Sequence, residues 1–409
     1  MKILIISQYF WPENFIINEI AFSLKSIGNE VIVLTGKPNY PEGKFFKGYN
    51  PFFINKNLKE NIEIIRVPIF PRLNSLITLI LNYLSFILSA SLFGPFLLVN
   101  KKFDIILIYG VSPILQAIPA IFIARIFRKP SILWIQDLWP ESIFATKYSL
   151  NKYLLIMLKY IVKNIYSNVD LLLAQSKGFI KKISEFNCIT PIEYLPNSYP
   201  HSKNKDHGNI FVEEVFKKEF NFVFAGNLGK AQSLETILNT ANLLKDRNDI
   251  GFVFIGDGSE KNYLIREASK KDLKNIIFLN RQPANKMSFY FKKASALLVT
   301  LSNNEVLNVT LPSKIQAYLS SGIPILASLN GVSADILIES GAALVSPADN
   351  SIAFKDLIIK FTKLSTEQKL LMGKKGKEFF YENFDHEIIV SKLDKYLRKI
   401  IQKKKRKIK

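Results

Sequence analysis

The chain has 409 residues, of which 48% are hydrophobic and 22% are charged. This composition excludes general disorder, and the length is sufficient for two packed domains. One cysteine and three histidines exclude a disulfide scaffold and argue against a structural zinc site. The formal net charge of +21 indicates an anionic partner: nucleic acid, a membrane surface or a phosphorylated small molecule.

The first of these partners is disfavoured by the motifs. No zinc finger, helix-turn-helix pattern or glycine-flanked aromatic motif occurs, so we expect no nucleic-acid partner. The apolar run at residues 1–6 stops at Ser7 and lacks a small-residue cleavage site, so we expect no signal peptide and a cytoplasmic location.

Short apolar runs alternate with segments of helical length, which is typical of parallel sheets covered by helices on both faces. Six strands are predicted in each half of the chain: residues 2–7, 30–35, 62–67, 103–109, 131–136 and 169–175, then 221–225, 251–255, 275–279, 296–300, 323–327 and 342–345. A polar, proline-containing linker is expected at residues 195–207.

This pattern predicts an α/β protein with two doubly wound domains. We place the first at residues 1–197 and the second at residues 198–385. A C-terminal segment, 386–409, would contain a helix at residues 388–401 and then a basic tail with a dense cluster at residues 403–409.

An uncharged segment, residues 73–100, interrupts the alternation and has the length of a membrane-spanning helix. Small polar residues recur along it every three or four positions, and Gly94 and Pro95 are expected to end the helix. Because the strands on both sides belong to one predicted sheet, a single crossing would split that sheet. We favour an apolar surface helix or short hairpin that rests in one leaflet; ordinary core packing and true spanning stay as alternatives.

Two glycine-rich turns follow predicted strands of the second half, at residues 226–230 and 256–260. Small residues let the backbone approach a ligand, the following helix offers free N–H groups for phosphate, and Lys230 adds a charge. Each turn is common alone, but together they favour a pocket for a nucleoside diphosphate. The turn after the first strand, residues 7–14, has no glycine, which argues against a nicotinamide or flavin enzyme.

A third strand end carries Pro312, Ser313 and Lys314 in front of a predicted helix at residues 314–321. Proline near the helix start and serine as the cap would bring N–H donors, a hydroxyl and an ammonium group to one point. This predicts an anion site; the alternative is a capped helix with a solvated Lys314.

Seven motifs occur in order between residues 5 and 326: IISQYFWPE (5–13), VLTGKPNYP (33–41), QDLWPES (136–142), LPN (195–197), AGNLGKAQ (225–232), LPSK (311–314) and SGIPIL (321–326). With them the chain resembles the GT-B glycosyltransferases of glycosyltransferase family 4. Within that family it is most similar to the bacterial surface-polysaccharide subgroup of N-acetyl-L-fucosamine transferases.

The resemblance implies two Rossmann-like domains that face a central cleft, with the acceptor on the first and the sugar nucleotide on the second. The implied catalytic residues are Asp137, Lys230 and Lys314. The implied donor-binding residues are Gly226, Asn227, Gly229, Gly256, Gln282 and Ser313. The implied acceptor-side residues are Glu13, Asn14, Trp139 and Glu141.

Four positions depart from the pattern of the family. Asn227 stands where an arginine is common, Val309 and Ala317 stand in place of two glutamates, and Gln136 replaces a histidine. Loss of the glutamate pair suits a deoxy- or amino-sugar donor, which has fewer hydroxyls to bind.

The implied reaction moves such a sugar, N-acetyl-L-fucosamine for example, from a UDP-sugar to an undecaprenyl-diphosphate-linked saccharide of O-antigen or capsule. We expect retention of configuration and no metal or other cofactor. Residues 73–100 and the basic cluster predict peripheral attachment to the anionic inner face of the cytoplasmic membrane. Two alternatives stay open: a UDP-sugar 2-epimerase of the same architecture, and a non-catalytic membrane-bound assembly protein.

Overall fold

The computed structural model describes residues 1–50, 52–73, 75–144, 151–199 and 215–408. The chain divides into two compact units. One consists of Met1–Asn197 together with Ile389–Lys409, and the other of Ser198–Ile388. Each unit contains one Rossmann-like sheet, and the predicted α/β class is confirmed.

The first unit is built on an eight-stranded sheet, in which β3 alone runs antiparallel, to β4. Its strands are β1 (Lys2–Ile6), β2 (Glu30–Thr35), β3 (Asn55–Lys59), β4 (Ile62–Arg66), β5 (Ile105–Gly110), β6 (Ser131–Ile135), β7 (Leu171–Ala174) and β8 (Ile192–Tyr194). They lie in the order β3-β4-β2-β1-β5-β6-β7-β8. The edge strands β3 and β8 lack an apolar run, and the sequence analysis missed both.

Helices cover both faces of this sheet, as the near-continuous apolarity of its central strands requires. They are α1 (Ile16–Ser26), α2 (Leu76–Leu98), α3 (Ala117–Ile126), the short α4 (Glu141–Phe144), α5 (Lys152–Ser167) and α6 (Lys177–Ser184). Helix α1 packs its apolar side on alternate strand residues such as Ile3 and Ile5. Helices α2, α3 and α5 pack side by side.

The second unit has a six-stranded, wholly parallel sheet in the order β11-β10-β9-β12-β13-β14. Its strands are β9 (Phe220–Ala225), β10 (Ile250–Ile255), β11 (Ile276–Leu279), β12 (Ala296–Thr300), β13 (Ile325–Ser328) and β14 (Ala343–Ser346). Its helices are α7 (Leu234–Leu243), α8 (Lys261–Lys270), α9 (Met287–Lys292), α10 (Glu305–Val309), α11 (Ser313–Ser321), α12 (Val332–Glu339), α13 (Ser351–Thr362) and α14 (Thr366–Asn383). Two buried apolar clusters form its core, and they share alternate residues of these strands.

The last helix, α15 (His386–Ile408), joins the core of the first unit. Its residues Leu393, Leu397 and Ile400 pack with α1 residues such as Ile20. The basic cluster continues this helix instead of forming a tail, because lysine and arginine are good helix formers. Of the predicted linker, residues 195–198 have no regular structure, Tyr199 forms an isolated bridge with Asp385, and residues 200–207 lie outside the described ranges.

Helix α2 is the one helix among the described residues that is long and apolar enough to cross a membrane, with a mean hydropathy of 2.0. It is one continuous helix, so the expected stop at Gly94 and Pro95 is wrong. Gly94 lies so close to α3 that a Cβ atom there would be 2.8 Å from the Ile123 side chain. This close packing stabilises the last turn despite the hydrogen bond that Pro95 cannot make.

The orientation of α2 is unusual, since its polar residues face inward. Asn82 is fully buried, donates to the Phe70 carbonyl at 2.6 Å and accepts from Gln8 at 2.7 Å. The outward face is apolar along the whole helix: Ile77, Ile80, Leu81, Leu84, Leu88, Leu92 and Phe96 are exposed. Ordinary core packing therefore does not account for α2, because most of its apolar surface is uncovered in the unit.

Candidate functional site

A polar cavity of about 580 Å³ opens at the carboxyl ends of the strands in the second unit. It lies where β9 separates β10 from β12, the position at which open parallel sheets bind ligands. Predicted donor residues that line it together are Gly226, Asn227, Gly256, Gln282, Ser313 and Lys314. The two glycine turns and the start of α11 thus converge on one site, although α11 follows α10 and not, as expected, a strand.

Gly226 and Gly256 lie so close to each other and to Lys314 that a side chain at either position would clash. A Cβ atom on Gly256 would lie 1.9 Å from the Gly226 carbonyl oxygen. Gly226 itself has a φ of +139°, and a Cβ there would lie 3.0 Å from the Lys314 side chain. Both turns therefore need glycine, and Gly226 leaves the space through which Lys314 reaches the cavity.

Lys314 supplies the cation at the base of this cavity. Its Nζ donates a 2.7 Å hydrogen bond to the Gln232 side-chain oxygen and lies 3.6 Å from the centre of the Phe224 ring. Because this environment is poorly solvated, the pKa of the Lys314 ammonium is lowered well below its usual value. The solvated lysine considered from the sequence is therefore wrong.

Helix α11 directs its first turn at the same cavity. Ser313 is the first helical residue, and Pro312 occupies the N-cap without a side-chain hydrogen bond, so the expected serine cap is wrong. Ser313 is exposed and lines the cavity at the start of this turn. Tyr318 fixes the helix to β9, since its hydroxyl accepts from the Ala225 N–H at 2.8 Å.

Gly229, predicted to bind the donor, and Lys230, predicted to be catalytic, do not line the cavity. Gly229 is buried, and Lys230 is exposed at the start of a short 3-10 helix, Lys230–Gln232. The cavity is instead lined by two charged residues that the sequence analysis missed, Arg281 and Asp257. Both directly follow strand ends, which was the available signal.

An apolar cavity of about 620 Å³ opens at the corresponding edge of the first unit. Strand-end residues on its wall are Tyr9, Tyr40, Ser112, Asp137 and Trp139. The N-terminal parts of α2 and α5 complete it with Leu76, Leu79, Ile80, Tyr83, Leu84, Leu154 and Leu158. Several of these α2 residues are also part of its exposed apolar face, so the cavity and that face are continuous.

Asp137 is the only carboxylate among the residues that line the apolar cavity. One of its oxygens accepts the Ser112 N–H at 2.9 Å, while Trp139 donates to the Ser112 hydroxyl at 3.0 Å. Burial raises the pKa of the Asp137 carboxyl above its usual value. A carboxylate with one hydrogen bond and a raised proton affinity is suited to orient, or to take a proton from, a hydroxyl group.

Aromatic rings and one arginine border this cavity on the side of β1 and β2. Tyr9 stacks on Phe15 with ring centres 5.1 Å apart, and Tyr40 lies against both rings. The Arg72 guanidinium lies over the Tyr40 ring at 5.1 Å. Their proximity depends on the loops after β1, β2 and β4, which are distant in the chain, so no local pattern predicts it.

Three of the predicted acceptor-side residues do not line the apolar cavity. The buried Glu13 carboxylate accepts the N–H groups of Asn39 and Tyr40 at 2.8 Å and of Phe10 at 3.3 Å. Glu13 therefore holds two strand-end loops together. Asn14 is exposed, and Glu141 lines a separate depression with Lys159 and Lys163.

Within the described ranges, no group of three or more His, Cys, Asp or Glu side chains is arranged to hold a metal ion.

Known proteins resemble this chain both in sequence and in fold. Residues 207–379 match the family described as "Glycosyl transferases group 1". The probable glycosyltransferase WbjE of Pseudomonas aeruginosa is 24% identical over 348 residues, which cover 82% of this chain and 84% of WbjE. The putative colanic acid biosynthesis glycosyl transferase WcaI of Escherichia coli K12 is 24% identical over 339 residues, which cover 79% and 82%.

Solved structures share the fold at low sequence identity. Sucrose-phosphate synthase from Thermosynechococcus elongatus aligns with a TM-score of 0.74 at 12% identity and covers 98% of this chain and 99% of its own. Anabaena Alr3699/HepE in complex with UDP aligns with a TM-score of 0.69 at 11% identity, over 98% and 100%. The fold is that of the GT-B glycosyltransferases, and the residues that match the group 1 glycosyl transferases lie in the unit that contains the polar cavity.

Proposed function

We propose that this protein transfers a sugar from a UDP-sugar to a lipid-linked saccharide during synthesis of a bacterial surface polysaccharide. The observation that carries the proposal is the contrast between the two strand-end cavities. One is lined by Lys314, Arg281, two glycine turns and the start of α11; the other is lined mainly by aliphatic and aromatic side chains, with Asp137 and Arg72 as its charged groups. Such a pair suits a charged, soluble donor and a lipid-bearing acceptor.

The donor assignment rests on groups that recognise a diphosphate. Lys314, Arg281 and the N-terminus of α11 line one cavity, with Asp257 as the opposing charge. A uridine nucleotide is favoured because a solved structure of the same fold contains UDP. Ala317 also lines the cavity. Its methyl group supports a deoxy- or amino-sugar such as N-acetyl-L-fucosamine over a sugar with more hydroxyls.

The acceptor assignment rests on the apolar cavity and its continuity with α2. A saccharide alone would find few hydrogen-bonding partners among leucine, isoleucine and tyrosine side chains. An isoprenoid diphosphate provides an apolar chain for this wall and an anion for Arg72 at its border. The similarity to WbjE, a probable glycosyltransferase, supports sugar transfer, and the similarity to WcaI, a putative colanic acid biosynthesis glycosyl transferase, supports a surface polysaccharide as the product.

The chemistry follows from these assignments. The bond between the sugar C1 and the diphosphate oxygen breaks, and a bond from C1 to an acceptor oxygen forms. Lys314 and the first turn of α11 stabilise the charge that develops on the leaving diphosphate, without a metal ion. With retention of configuration, a departing phosphate oxygen takes the acceptor proton, and Asp137 orients the acceptor hydroxyl.

The location follows from α2. Its outward face is apolar over 23 residues, and its buried stripe is packed on the first unit, so we infer that it lies in the surface of a membrane and does not cross it. The excess of basic residues favours the anionic inner face of the cytoplasmic membrane.

The test is a transfer assay with purified protein, a panel of UDP-sugars and undecaprenyl-diphosphate-linked N-acetylhexosamine as acceptor. We expect one UDP-sugar to raise the melting temperature and to release UDP only when the acceptor is present. Conversion of a UDP-sugar into its epimer without acceptor would replace the proposal with the epimerase alternative. Absence of both a thermal shift and turnover across the panel would favour the non-catalytic alternative.

A further inference from the structure

An apolar groove runs between α3 and α5 on the outer surface of the first unit, away from the strand-end cavity. Its volume is about 380 Å³. Its apolar walls are formed by Ile118, Ile121, Phe122, Tyr160, Ile161 and Ile165. Phe122 and Tyr160 are 45% and 71% exposed, which leaves large aromatic surfaces uncovered at the rim.

A second depression, of about 350 Å³, shares Ile121, Arg125 and Asn168 with the groove and therefore adjoins it. Its charged side chains are Arg125, Arg128, Lys129 and Lys404, with Asp170 as the single carboxylate. The apolar groove thus ends at a strongly cationic depression.

Three of the four cations lie at the end of α3 and in the turn after it, and the fourth, Lys404, comes from the C-terminal helix. Arg125 lies in the last turn of α3 and donates to the Asn168 side-chain oxygen, which holds its guanidinium at the rim. Arg128 and Lys129 follow in the turn before β6, where Arg128 has a φ of +52°.

Lys404 lies on α15, and its Nζ is 3.8 Å from the Asp170 carboxylate. The other Asp170 oxygen accepts the Ser131 N–H at 2.9 Å. Since one carboxylate stands against four cations, the depression keeps a formal excess of three positive charges.

We propose that the groove and the depression together bind one anionic glycerophospholipid, with an acyl chain in the groove and the phosphate headgroup among the cations. Free phosphate would leave the apolar groove unused, and a zwitterionic headgroup would bring its own cation to a cationic depression. A single anionic lipid satisfies both parts. The inference rests on the proposed attachment to a membrane, and it adds a specific lipid site to that general affinity.

Such a site would also orient the protein. Helices α2 and α3 are in contact through Gly94 and Ile123, so a lipid held beside α3 belongs to the same helical layer as the exposed face of α2. Headgroup binding would then turn this layer toward the bilayer. The amount of anionic lipid, and not only the presence of a bilayer, would decide attachment.

The experiment uses the full chain and dihexanoyl phosphatidylglycerol below its micelle concentration, with binding followed by calorimetry. Dihexanoyl phosphatidylcholine and glycerol 3-phosphate are the comparison ligands. We expect phosphatidylglycerol to bind at least tenfold more tightly than either. Equal binding of glycerol 3-phosphate would mean a phosphate site without a lipid role, and equal binding of phosphatidylcholine would mean an apolar groove without charge selection. Either result, or no binding, overturns the proposal.

Variants locate the site. Arg128→Gln combined with Lys404→Gln should weaken phosphatidylglycerol binding roughly 30-fold, since each cation near an anionic headgroup contributes about 1 kcal/mol. Phe122→Ser should weaken phosphatidylglycerol binding and leave that of glycerol 3-phosphate unchanged. The matched control is Lys392→Gln with Lys395→Gln, two exposed lysines on α15 outside the depression.

Equal weakening in the control pair would show a general charge effect and overturn the site. Capture of a protein partner by wild type that phosphatidylglycerol does not displace would assign the groove to that partner instead. No sugar transfer is measured here, so a failure of the proposed transferase function would leave this result intact.

Discussion

Lys314 and Phe224 are in direct contact, with the lysine ammonium nitrogen 3.6 Å from the centre of the aromatic ring. The ring face and the Gln232 oxygen are the partners that hold this cation in a poorly solvated cavity. The charge is therefore costly in the absence of an anion, and an arriving diphosphate would stabilise it. This contact makes Lys314 the residue on which the donor assignment is most directly tested.

Replacing Lys314 by alanine should lower turnover at least 100-fold, because the developing charge on the diphosphate loses a preorganised partner worth about 2.7–4 kcal/mol. Lys314→Met is the matched variant, since it keeps most of the apolar stem without the charge. We expect both variants to keep the melting temperature within a few degrees of wild type. Turnover is measured with the true donor beside the melting temperature. Wild-type turnover in Lys314→Met would contradict the role of Lys314 and leave Arg281 as the cation of this cavity that binds the diphosphate.

The pH dependence of UDP binding gives a second test. The pKa of Lys314 is lowered in the free protein, so the ammonium form that attracts phosphate is present at low pH and is lost as pH rises through that lowered value. Affinity for UDP should therefore fall with rising pH well before an ordinary lysine titrates. Calorimetric Kd values across pH for wild type and Lys314→Met isolate the effect. An identical pH profile for the two proteins would contradict it.

Asp137→Asn should inactivate the protein and stabilise it. Burial raises the Asp137 pKa, so the native state favours the protonated form and ionisation costs stability as pH rises above the usual value of 3.8. Asparagine keeps an acceptor for the Ser112 N–H without the charge. We expect at least 100-fold lower turnover and, at neutral pH, a higher melting temperature. A variant that is less stable than wild type at pH 7 would refute the role of burial.

Glu13→Ala should destabilise the first unit by at least about 2 kcal/mol, because three N–H donors lose a buried acceptor. Burial raises the Glu13 pKa from 4.5 to about 7. The native state thus favours protonated Glu13, and its contribution is full below pH 4.5 and is lost as pH rises through 7. Denaturant unfolding of wild type and Glu13→Gln should show a stability difference that changes over this window. A constant difference would mean that Glu13 does not titrate there.

Charged residues on the outer face of α2 should release the protein from membranes. Leu88 and Phe96 are 69% and 76% exposed, so Leu88→Glu with Phe96→Glu should leave the melting temperature nearly unchanged. Burying two such side chains in lipid contributes about 3 kcal/mol or more, so vesicle binding should weaken at least 100-fold. The control is Ile338→Glu with Leu370→Glu, two comparably exposed positions on α12 and α14. Unchanged vesicle binding in the α2 variant would favour another partner for this face.

The sequence predicts those parts of the site whose residues are close together in the chain. Glycine turns, a proline at a helix start and a lysine beside it lie within a few residues of one another, and strand order brings their turns together at one edge. Arg281 and Asp257 were missed because a single charge after a strand is common and does not by itself indicate a ligand. Glu13 was predicted as an acceptor-side residue from its place in the loop after the first strand; its hydrogen-bond partners Asn39 and Tyr40 are remote in the chain, so its bridging role had no local signal.

In the fold, too, elements with a local sequence pattern were predicted and elements that depend on remote partners were not. Apolar runs predicted the buried strands, whereas β3, with the sequence Asn-Lys-Asn-Leu-Lys, forms only by pairing with β4. The polar stripe of α2 was recognised, but its inward direction depends on Gln8 and Phe70, which contact Asn82. Spacing alone does not tell which face of a helix the rest of the protein covers.

The return of α15 to the first unit has a consequence for how the protein is made. The residues that complete the core beside α1, among them Leu393 and Leu397, leave the ribosome after the whole second unit has been synthesised. Until then the α1 side of the first sheet is incomplete, while the apolar face of α2 has already emerged. Attachment of the nascent chain to a membrane through α2 would shield that face until α15 has been synthesised. Early contact with lipid would then assist folding before the protein is active as an enzyme.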